Sequence, residues 1–462
     1  MAILDINNTS LKKDVNKIIN SPDKVIFYSW EARVHNKKYN LNILKIKNFD
    51  LVRNYLRNIG DHMHIEFILA AGDFYKYFFP YKENSYITIT QKPRTFTNLP
   101  IKNAKEIKAT YKLVYLEKEN TPLNFIEASE RFNKTALDLM DFITVKCQLL
   151  DLSLEALRIL YTGGTFENKT YKEILYNTVG SDSLKVKING KPSIEAIDIS
   201  DPDNTENQTM TIIPDGTPII SIPTYLQEHK KGIYNSGIGM YLQNFNSKKT
   251  WFVYPLYNTS IYKKRSYKSI FYVVPPQHFP WVEKTYLLEN KVLKIVCVAD
   301  KRYISDGHSR IMDTGNGFRM SAAYSYMKKP VVMKKTGPVG SRSRMNYEVS
   351  NKDALNGLNY GPMVEDEISD NPYSEYSKIT SRYTDIIHLV WNNSDPDLIH
   401  PGMPAKFFYL KHDKLVSITG VIINTQTSVE MANSGLLIGI YYSNTAISVL
   451  VDKGNSLDIG EW

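Results

Sequence analysis

Cysteine is scarce in this chain of 462 residues, which contains only Cys147 and Cys297. Two thiols so far apart in sequence cannot supply the ligands of a zinc site, and they argue against a fold held together by many disulfides. Such sparse usage is typical of a reducing compartment, or of a fold that needs no covalent cross-links.

Long apolar runs are also few. The longest uncharged stretch, Met431 to Val451, is interrupted by Asn433 and by Ser443, Asn444 and Thr445. It predicts two strands around a turn and not a membrane span. The first residues lack the basic and then apolar order of a signal peptide, so we expect neither export by that route nor a membrane partner.

The common catalytic and nucleotide-binding motifs are missing as well. No P-loop, H-E-x-x-H or G-x-S-x-G string occurs. The glycine-rich strings at residues 162–165 and 315–318 lack the third glycine of a dinucleotide-binding loop. The sequence therefore predicts no catalytic residue, no cofactor site and no enzyme.

Two groups of possible metal ligands were weighed. His62 and His64 would share one face of a strand, but no third ligand accompanies them. The acidic cluster of Asp198, Asp201, Asp203 and Glu206 lacks the central glycine and the terminal glutamate of a calcium loop, and Pro202 beside it favours a solvated turn. We predict no metal site.

Aromatic residues, in contrast, are abundant, with 32 Tyr and 18 Phe. These residues favour half-buried pleated surfaces, and Tyr also suits large protein interfaces. The formal net charge is +9, which raises the question of a nucleic-acid partner, but most of the excess is spread thinly along the chain. A β-rich protein with wide contact surfaces is the favoured interpretation.

Periodicity predicts many short strands and a few helices. Strands are expected near residues 25–30, 40–49, 64–72, 85–91 and 111–117, again from 239 to 300, and in the last part of the chain. Helices are expected between Phe49 and Met63, ending at Gly60, at residues 170–180 with a Thr170–Glu173 capping box and a stop at Gly180, and from Pro223 to Gly232.

Residues 301–375 have little apolar periodicity and are predicted to form an extended arm or loop. Within it, the segment from Lys328 to Arg344 contains six basic residues and no acidic one, and we predict these six to be interaction residues: Lys328, Lys329, Lys334, Lys335, Arg342 and Arg344. Aromatic residues for base stacking are absent among them, so an acidic neighbouring subunit is favoured over specific nucleic-acid binding.

Four segments, in order, resemble the central hub proteins of contractile-tailed phage baseplates. They are GDHMHIEFILAAGDFYKYFFPYKEN (residues 60–84), VKCQLLDLSLEALRILYTGGTFENKTYKEIL (145–175), IIPDGTPIISIPTYLQEHKKGIYNSGIGMYLQNF (212–245) and VWNNSDPDLIHPGMPAKFFYLKHDKLVSITGVI (390–422). Together they cover about a third of the chain, and their common order carries the resemblance.

The resemblance implies a mainly β, multidomain fold with two tube-like antiparallel β-barrel domains and a mixed α/β domain. The expected parts are an N-terminal tube-like β domain (1–120), a helical and strand connecting domain (121–190), a mixed α/β and β domain (191–300), the arm (301–375) and a C-terminal β-barrel domain (376–462).

The resemblance also implies a function. The expected protein is a structural virion component, a homotrimeric hub whose pseudo-sixfold ring joins the tail tube to the central spike. Its expected partners are the tail tube or tube-initiator protein, the spike and the baseplate wedge proteins, with the tape measure protein left open. The expected location is the tail baseplate of the virion, assembled in the host cytoplasm.

Two other functions remain open at this point. A distal tail or tube-initiator protein would use related barrels in six copies and not three. A cell-wall-degrading tail enzyme would need a cleft with perturbed carboxylates.

Overall fold

The computed structural model describes residues 9–21, 27–94, 99–100, 106–116, 142–188, 191–228, 232–234, 236–263, 265–276, 279, 285–303, 320–322, 331–333, 350–351, 359–360, 384–411, 414–431 and 440–452. Strands predominate in this part of the chain, so the fold is mainly β with a mixed α/β portion, as the sequence predicts. None of the helices described there is both long enough and apolar enough to cross a bilayer.

Within these residues the α-helices are α1 (Thr9–Ile19), α2 (Ala71–Asp73), α3 (Leu152–Arg158), α4 (Tyr171–Leu175), α5 (Ser181–Lys185) and α6 (Ile222–Glu228). π-helical turns follow at Phe74–Phe78 and Tyr176–Gly180, and 3₁₀ turns lie at Phe79–Asn84, Ile219–Ser221, Thr259–Lys263 and Pro396–Leu398. The strands are β1 (Phe27–His35), β2 (Asn40–Asn42), β3 (Lys45–Asn54), β4 (His62–Ala70), β5 (Tyr86–Arg94), β6 (Ile107–Tyr115), β7 (Phe142–Leu150), β8 (Tyr161–Lys169), β9 (Lys187–Ile188), β10 (Lys191–Pro192), β11 (Ala196–Ile199), β12 (Gln208–Pro218), β13 (Ile238–Phe245), β14 (Lys248–Pro255), β15 (Lys268–Val273), β16 (Tyr286–Glu289), β17 (Val292–Tyr303), β18 (Met320–Ala322), β19 (Val331–Met333), β20 (Ser350–Asn351), β21 (Asn359–Tyr360), β22 (Thr384–Asn392), β23 (Pro404–Lys411), β24 (Lys414–Met431) and β25 (Tyr441–Asp452).

The first barrel is an antiparallel ring. Strands β1, β5, β6, β7, β4 and β3 pair in that order, and the ring continues through β24 and β25. It closes where Tyr28 of β1 pairs with Tyr441 of β25. Alternate apolar side chains such as Val34, Phe67 and Ile87 are fully buried inside, as the period of two in these strands requires.

The second barrel is a ring of six strands, β17, β15, β23, β24, β25 and β22, closed by pairing of β22 with β17. Strand β15 is parallel to both of its neighbours, and the other pairs are antiparallel. Large apolar side chains fill the interior, among them the stacked rings of Phe271 and Phe407 and the buried indole of Trp391. Outside it, α1 packs through Leu11, Val15 and Ile18.

Strands β24 and β25 form part of both barrels. β24 runs for 18 residues, against about 5–6 in an ordinary strand. Its first part, residues 414–421, pairs with β23 of the second barrel, whereas residues 424–430 pair with β3 of the first. The register shifts between Ile422 and Asn424, and the carbonyl of Ile423 there accepts a hydrogen bond from the amide of Tyr55 at 3.0 Å. This bulge marks the crossing from one barrel to the other.

A mixed α/β portion lies between the two barrels in sequence. Strands β11, β14 and β13 form a small sheet in which β11 is parallel to β14, and α3, α4 and α6 pack on it around Trp251 and Tyr234. Strands β8 and β12 form a separate two-stranded antiparallel ribbon. We call this pair the outer ribbon.

The helix predicted between Phe49 and Met63 is wrong. β3 continues to Asn54, a turn follows, and β4 begins at His62. The apolar residues of this segment fit both periods, but only the extended form lets β3 pair with β24 and β4 at once. Gly60 ends no helix: a Cβ atom here would lie 2.8 Å from Leu154, so the glycine permits close contact with the mixed portion.

Two further local predictions change. The Thr170–Glu173 capping box is confirmed, but Gly180 adopts ordinary helical angles and the helical segment continues through α5 to Lys185. The turn predicted at residues 443–445 is also wrong, because β25 is continuous there. Its polar Thr445 hydroxyl is buried within 2.6 Å of Ser394 Oγ and 2.8 Å of Thr427 Oγ1, so hydrogen bonds across strands satisfy it.

The division into domains stays a prediction. In the described chain β7 pairs with strands of the first barrel, and β15 and β17 with strands of the second, so both rings draw on residues outside the ranges 1–120 and 376–462.

Substitution of Gly420 tests the importance of the shared strands. A Cβ atom at Gly420 would lie 2.4 Å from the carbonyl oxygen of Leu450 on β25, so we expect Gly420→Ala to destabilise the protein by about 1–3 kcal/mol. Urea unfolding measures the loss. Gly72→Ala is the matched control, since nothing lies within 4 Å of a Cβ there. Equal stability of the two variants would refute the expectation.

Candidate functional site

The six basic residues predicted to be interaction residues, Lys328, Lys329, Lys334, Lys335, Arg342 and Arg344, lie outside the described residues. Their role stays a prediction. The glycine string at 315–318 also lies outside them.

The other candidates from the sequence do not converge on one site. The rings of His62 and His64 meet edge to face, with centroids 4.6 Å apart, and burial together with the neighbouring ring lowers the pKa of His62. Asp201 of the acidic cluster accepts a hydrogen bond from Lys172 at 2.7 Å, as expected of a surface turn. Nowhere in the described chain do three His, Cys, Asp or Glu side chains gather as a metal ion requires.

Gly163 allows two neighbouring strands to approach closely. The glycine lies in β8 of the outer ribbon, where a Cβ atom would collide with Asp215 of the neighbouring strand at 2.3 to 2.6 Å. The string at residues 162–165 is thus part of a strand and not of a phosphate-binding loop.

A buried ion network joins the two barrels. Arg53, on β3 of the first barrel, donates to Asp61 at 3.0 and 3.2 Å, to Asp397 at 2.7 Å and to the carbonyl of Pro396 at 2.8 Å. Its side chain is 1% exposed and that of Asp61 6%, whereas that of Asp397 is 39% exposed. One guanidinium therefore connects the first barrel to the loop at residues 393–397 of the second.

The mixed portion meets the same junction. Lys249 of β14 donates to Asp151, whose carboxylate also caps α3 by accepting from the amide of Ser153 at 2.8 Å. Burial alone would lower the pKa of Lys249, but the carboxylates of Asp151 and Asp61 raise it. The phenol of Tyr254 donates to the carbonyl of Tyr55, so a neutral hydrogen bond supplements the ionic contacts.

A cavity of about 170 Å³ opens beside the network, at the mouth of the first barrel. Residues of the first barrel form most of its walls, and the loop at 393–397 lines another part of it. We call it the barrel-mouth cavity. Its aromatic lining residues are Phe27, Tyr28, Trp30, Phe49, Tyr111, Tyr286, Tyr441 and Tyr442, and its charged lining residues are Arg53, Asp61, Asp395 and Asp397.

Titration in the cavity is strongly perturbed. Burial, with repulsion from Asp397, raises the pKa of Asp395 to about 7. Burial also raises the pKa of Tyr28 to about 12, and the two aspartates add to the effect. The carboxylate of Asp395 accepts from the amide of Asp397 at 3.2 Å, capping the short 3₁₀ turn. A carboxyl group whose pKa lies near 7, at the junction of the two barrels, is chemically unusual.

Sequence reasoning missed these residues. Arg53 and Asp61 lie within the segment predicted as a helix, and Asp395 and Asp397 are not among the candidate site residues predicted from the sequence. The available signal was an arginine at a core position of an otherwise apolar alternating strand, which demands a buried partner.

No family model and no curated protein matches the chain. Several solved structures are similar to it. A tail protein from Neisseria meningitidis is 8% identical over 93% of this chain and 99% of its own, with a TM-score of 0.44. The 43 kDa tail protein of a Shewanella oneidensis prophage is 10% identical over 92% of this chain and 99% of its own, with a TM-score of 0.45.

A third similar structure is an Escherichia coli component of the type VI secretion system, described as structurally similar to two T4 bacteriophage tail proteins. It is 8% identical over 90% of this chain and 76% of its own, with a TM-score of 0.39. These three solved structures are thus two tail proteins and one component of a type VI secretion system.

Loss of the junction arginine should be costly. Arg53→Met leaves the buried Asp61 without its ion-pair partner, so we expect a loss of about 3–5 kcal/mol in the free energy of unfolding. Urea denaturation measures it. Lys47→Met breaks the more exposed Lys47–Glu66 pair and should cost less than about 1 kcal/mol. Similar losses in both variants would contradict this role for Arg53.

Asp395 should make stability depend on pH. Because its pKa rises on folding, its contribution is complete below the unfolded value of 3.8 and is lost as the pH rises through about 7. Asp395→Asn keeps the helix cap but cannot ionise, so the variant should gain melting temperature relative to wild type between pH 5 and 8.5. Asp201→Asn, at an exposed site, is the control. Parallel curves for wild type and Asp395→Asn would disprove the expectation.

Proposed function

We propose that this chain is a structural virion protein, the central hub of a contractile phage tail baseplate, and not an enzyme. Three copies would form a pseudo-sixfold ring that joins the tail tube to the central spike. The observation that carries this proposal is the presence of two closed β rings in one chain, fused through β24 and β25.

Two barrels per chain are suited to a change of symmetry. Three chains with two barrels each present six barrel walls, which would meet a sixfold tube on one side and a threefold spike on the other. Such a ring requires that the two barrels of every chain keep one angle. The continuous strand β24 and the Arg53 network both act against bending at the joint.

Exposed apolar side chains support assembly with other chains. On the outer ribbon Tyr161, Met210 and Ile212 are all more than half exposed, and near α2 Tyr75 and Phe79 are 45% and 43% exposed. Large apolar groups of this kind are typical of surfaces that become covered by a partner.

Several finer points belong to the same proposal. The five ranges given above are the proposed domains, and the basic residues between Lys328 and Arg344 contact an acidic neighbouring subunit. The proposed partners are further copies of the chain itself, the tail tube or tube-initiator protein, the spike and the wedge proteins, with the tape measure protein left open. The proposed location is the tail of the virion, after assembly in the host cytoplasm.

The oligomeric state tests the proposal. We expect native mass spectrometry and light scattering to find a species of three times the 53.1 kDa chain mass, since each contact of an obligate ring should bury well over ~2,000 Å². A monomer at high concentration would count against the hub. Six copies per tail in an averaged image of the tail end would favour a tube-initiator protein.

Charge reversal tests the basic residues within the same measurement. Changing Lys328, Lys329, Lys334 and Lys335 to Glu should lower the trimer fraction without changing the melting temperature of the monomer. Reversing four surface lysines elsewhere, Lys13, Lys37, Lys187 and Lys248, applies the same change in net charge and should leave assembly intact. Equal effects of the two variants would mean that total charge, and not this segment, matters.

A further inference from the structure

The barrel-mouth cavity is lined by one more carboxylate than Arg53 binds. Three carboxylates, those of Asp61, Asp395 and Asp397, face it together with one guanidinium, that of Arg53. Arg53 binds Asp61 and Asp397 directly. Asp395 forms no ion pair within the described part of the chain, where its carboxylate accepts only the amide of Asp397. Among the described residues that line the cavity, acidic side chains therefore outnumber basic ones by three to one.

The walls of the cavity are mostly aromatic. Trp30 and Tyr441 lie with ring centroids 5.7 Å apart, and Trp30 and Phe49 5.1 Å apart. Tyr28 and Tyr442 bring two further rings to the side where Asp395 lies. Aromatic faces carry partial negative charge and attract cations, most strongly where water is excluded.

The volume limits what can enter. A cavity of about 170 Å³ is close in volume to the ~150 Å³ cavity that holds benzene, a molecule of six heavy atoms. A four-carbon chain ending in an ammonium group has five heavy atoms. Its alkyl part would contact the rings while its charge reached a carboxylate, as lysine side chains do elsewhere.

We propose that the barrel-mouth cavity binds a primary alkylammonium group through Asp395 and the surrounding aromatic rings, and that a lysine side chain of a neighbouring chain supplies it. The site itself stands on the cavity, its charges and its size. The lysine as the source rests on the proposed function, since it requires an assembled partner.

The charged and titratable groups that face Asp395 set the pH dependence of binding. Of these, Arg53 on β3, Asp397 in the same loop and Tyr28 on β1 interact electrostatically with Asp395. The other charged or titratable lining residues are Asp61, Tyr111, Tyr286, Tyr441 and Tyr442. Burial raises the pKa of Asp61 as well, although its ion pair with Arg53 opposes the shift. The pKa of Tyr28 lies far above neutral pH and Arg53 stays protonated, whereas the pKa of Asp395 is about 7, so ionisation of Asp395 adds negative charge to the cavity as the pH rises through 7. Binding should tighten between pH 6 and pH 8.

The test uses the full chain and n-butylammonium chloride as the probe, followed by calorimetry and by the rise in melting temperature at pH 8. We expect binding of butylammonium but not of n-butanol or butyrate, which match its size without the positive charge. Asp395→Asn should weaken binding by about tenfold or more, the factor that corresponds to ~1.4 kcal/mol. Asp201→Asn, outside the cavity, should bind as wild type does.

Two further ligands distinguish a lysine side chain from a free polyamine as the source of the ammonium group. A short peptide with one central lysine should bind at least as tightly as butylammonium, whereas tighter binding of putrescine would assign the site to free polyamines. Unchanged affinity in Asp395→Asn, or equal binding of butanol, would overturn the site. If butylammonium binds to a chain that never forms trimers, the binding site is supported and the proposed hub function is refuted.

Discussion

Two barrels in this chain share one pair of strands, and the remaining structure depends on that sharing. β24 and β25 contribute hydrogen bonds to both rings, so neither ring can close without the strands that also close the other. A flexible linker would leave the angle between two domains free, whereas a continuous strand fixes it. The bulge near Ile423 supplies the bend, and Tyr55 holds the carbonyl that the bulge leaves free.

Burial of Arg53 is a costly way to reinforce this joint. Removing a guanidinium and its carboxylates from water costs several kcal/mol, and their attraction repays that only when every donor is used. Arg53 comes close to this condition, because all three of its nitrogens donate and four hydrogen bonds reach Asp61, Asp397 and the carbonyl of Pro396. Such a network penalises any other arrangement of the barrels more than an apolar contact would, because a small slip would leave a charge buried without its partner.

The sequence predicted the mainly β character, many strand positions and the Thr170–Glu173 cap, because alternation and capping are local signals. It did not predict that the two barrels share strands, because this sharing depends on pairings between residues hundreds of positions apart, such as Phe49 with Val429. The segment from Phe49 to Met63 fits a helical period equally well, and only contact with β24 selects the strand. The continuity of β25 through Thr445 likewise depends on hydroxyl partners on β24 and in the loop before the second barrel's β23.

Placement of Asp395 beside the joint links the cavity to the arrangement of the barrels. The loop at 393–397 provides both Asp397, which Arg53 holds, and Asp395, which faces the cavity. A cation bound at Asp395 would relieve its repulsion from Asp397 and so favour the position of the loop in which Arg53 is paired. By linkage, a firmly closed joint would in turn bind the cation more tightly. Contact with a neighbouring chain at this mouth would then stiffen the angle on which a closed ring depends.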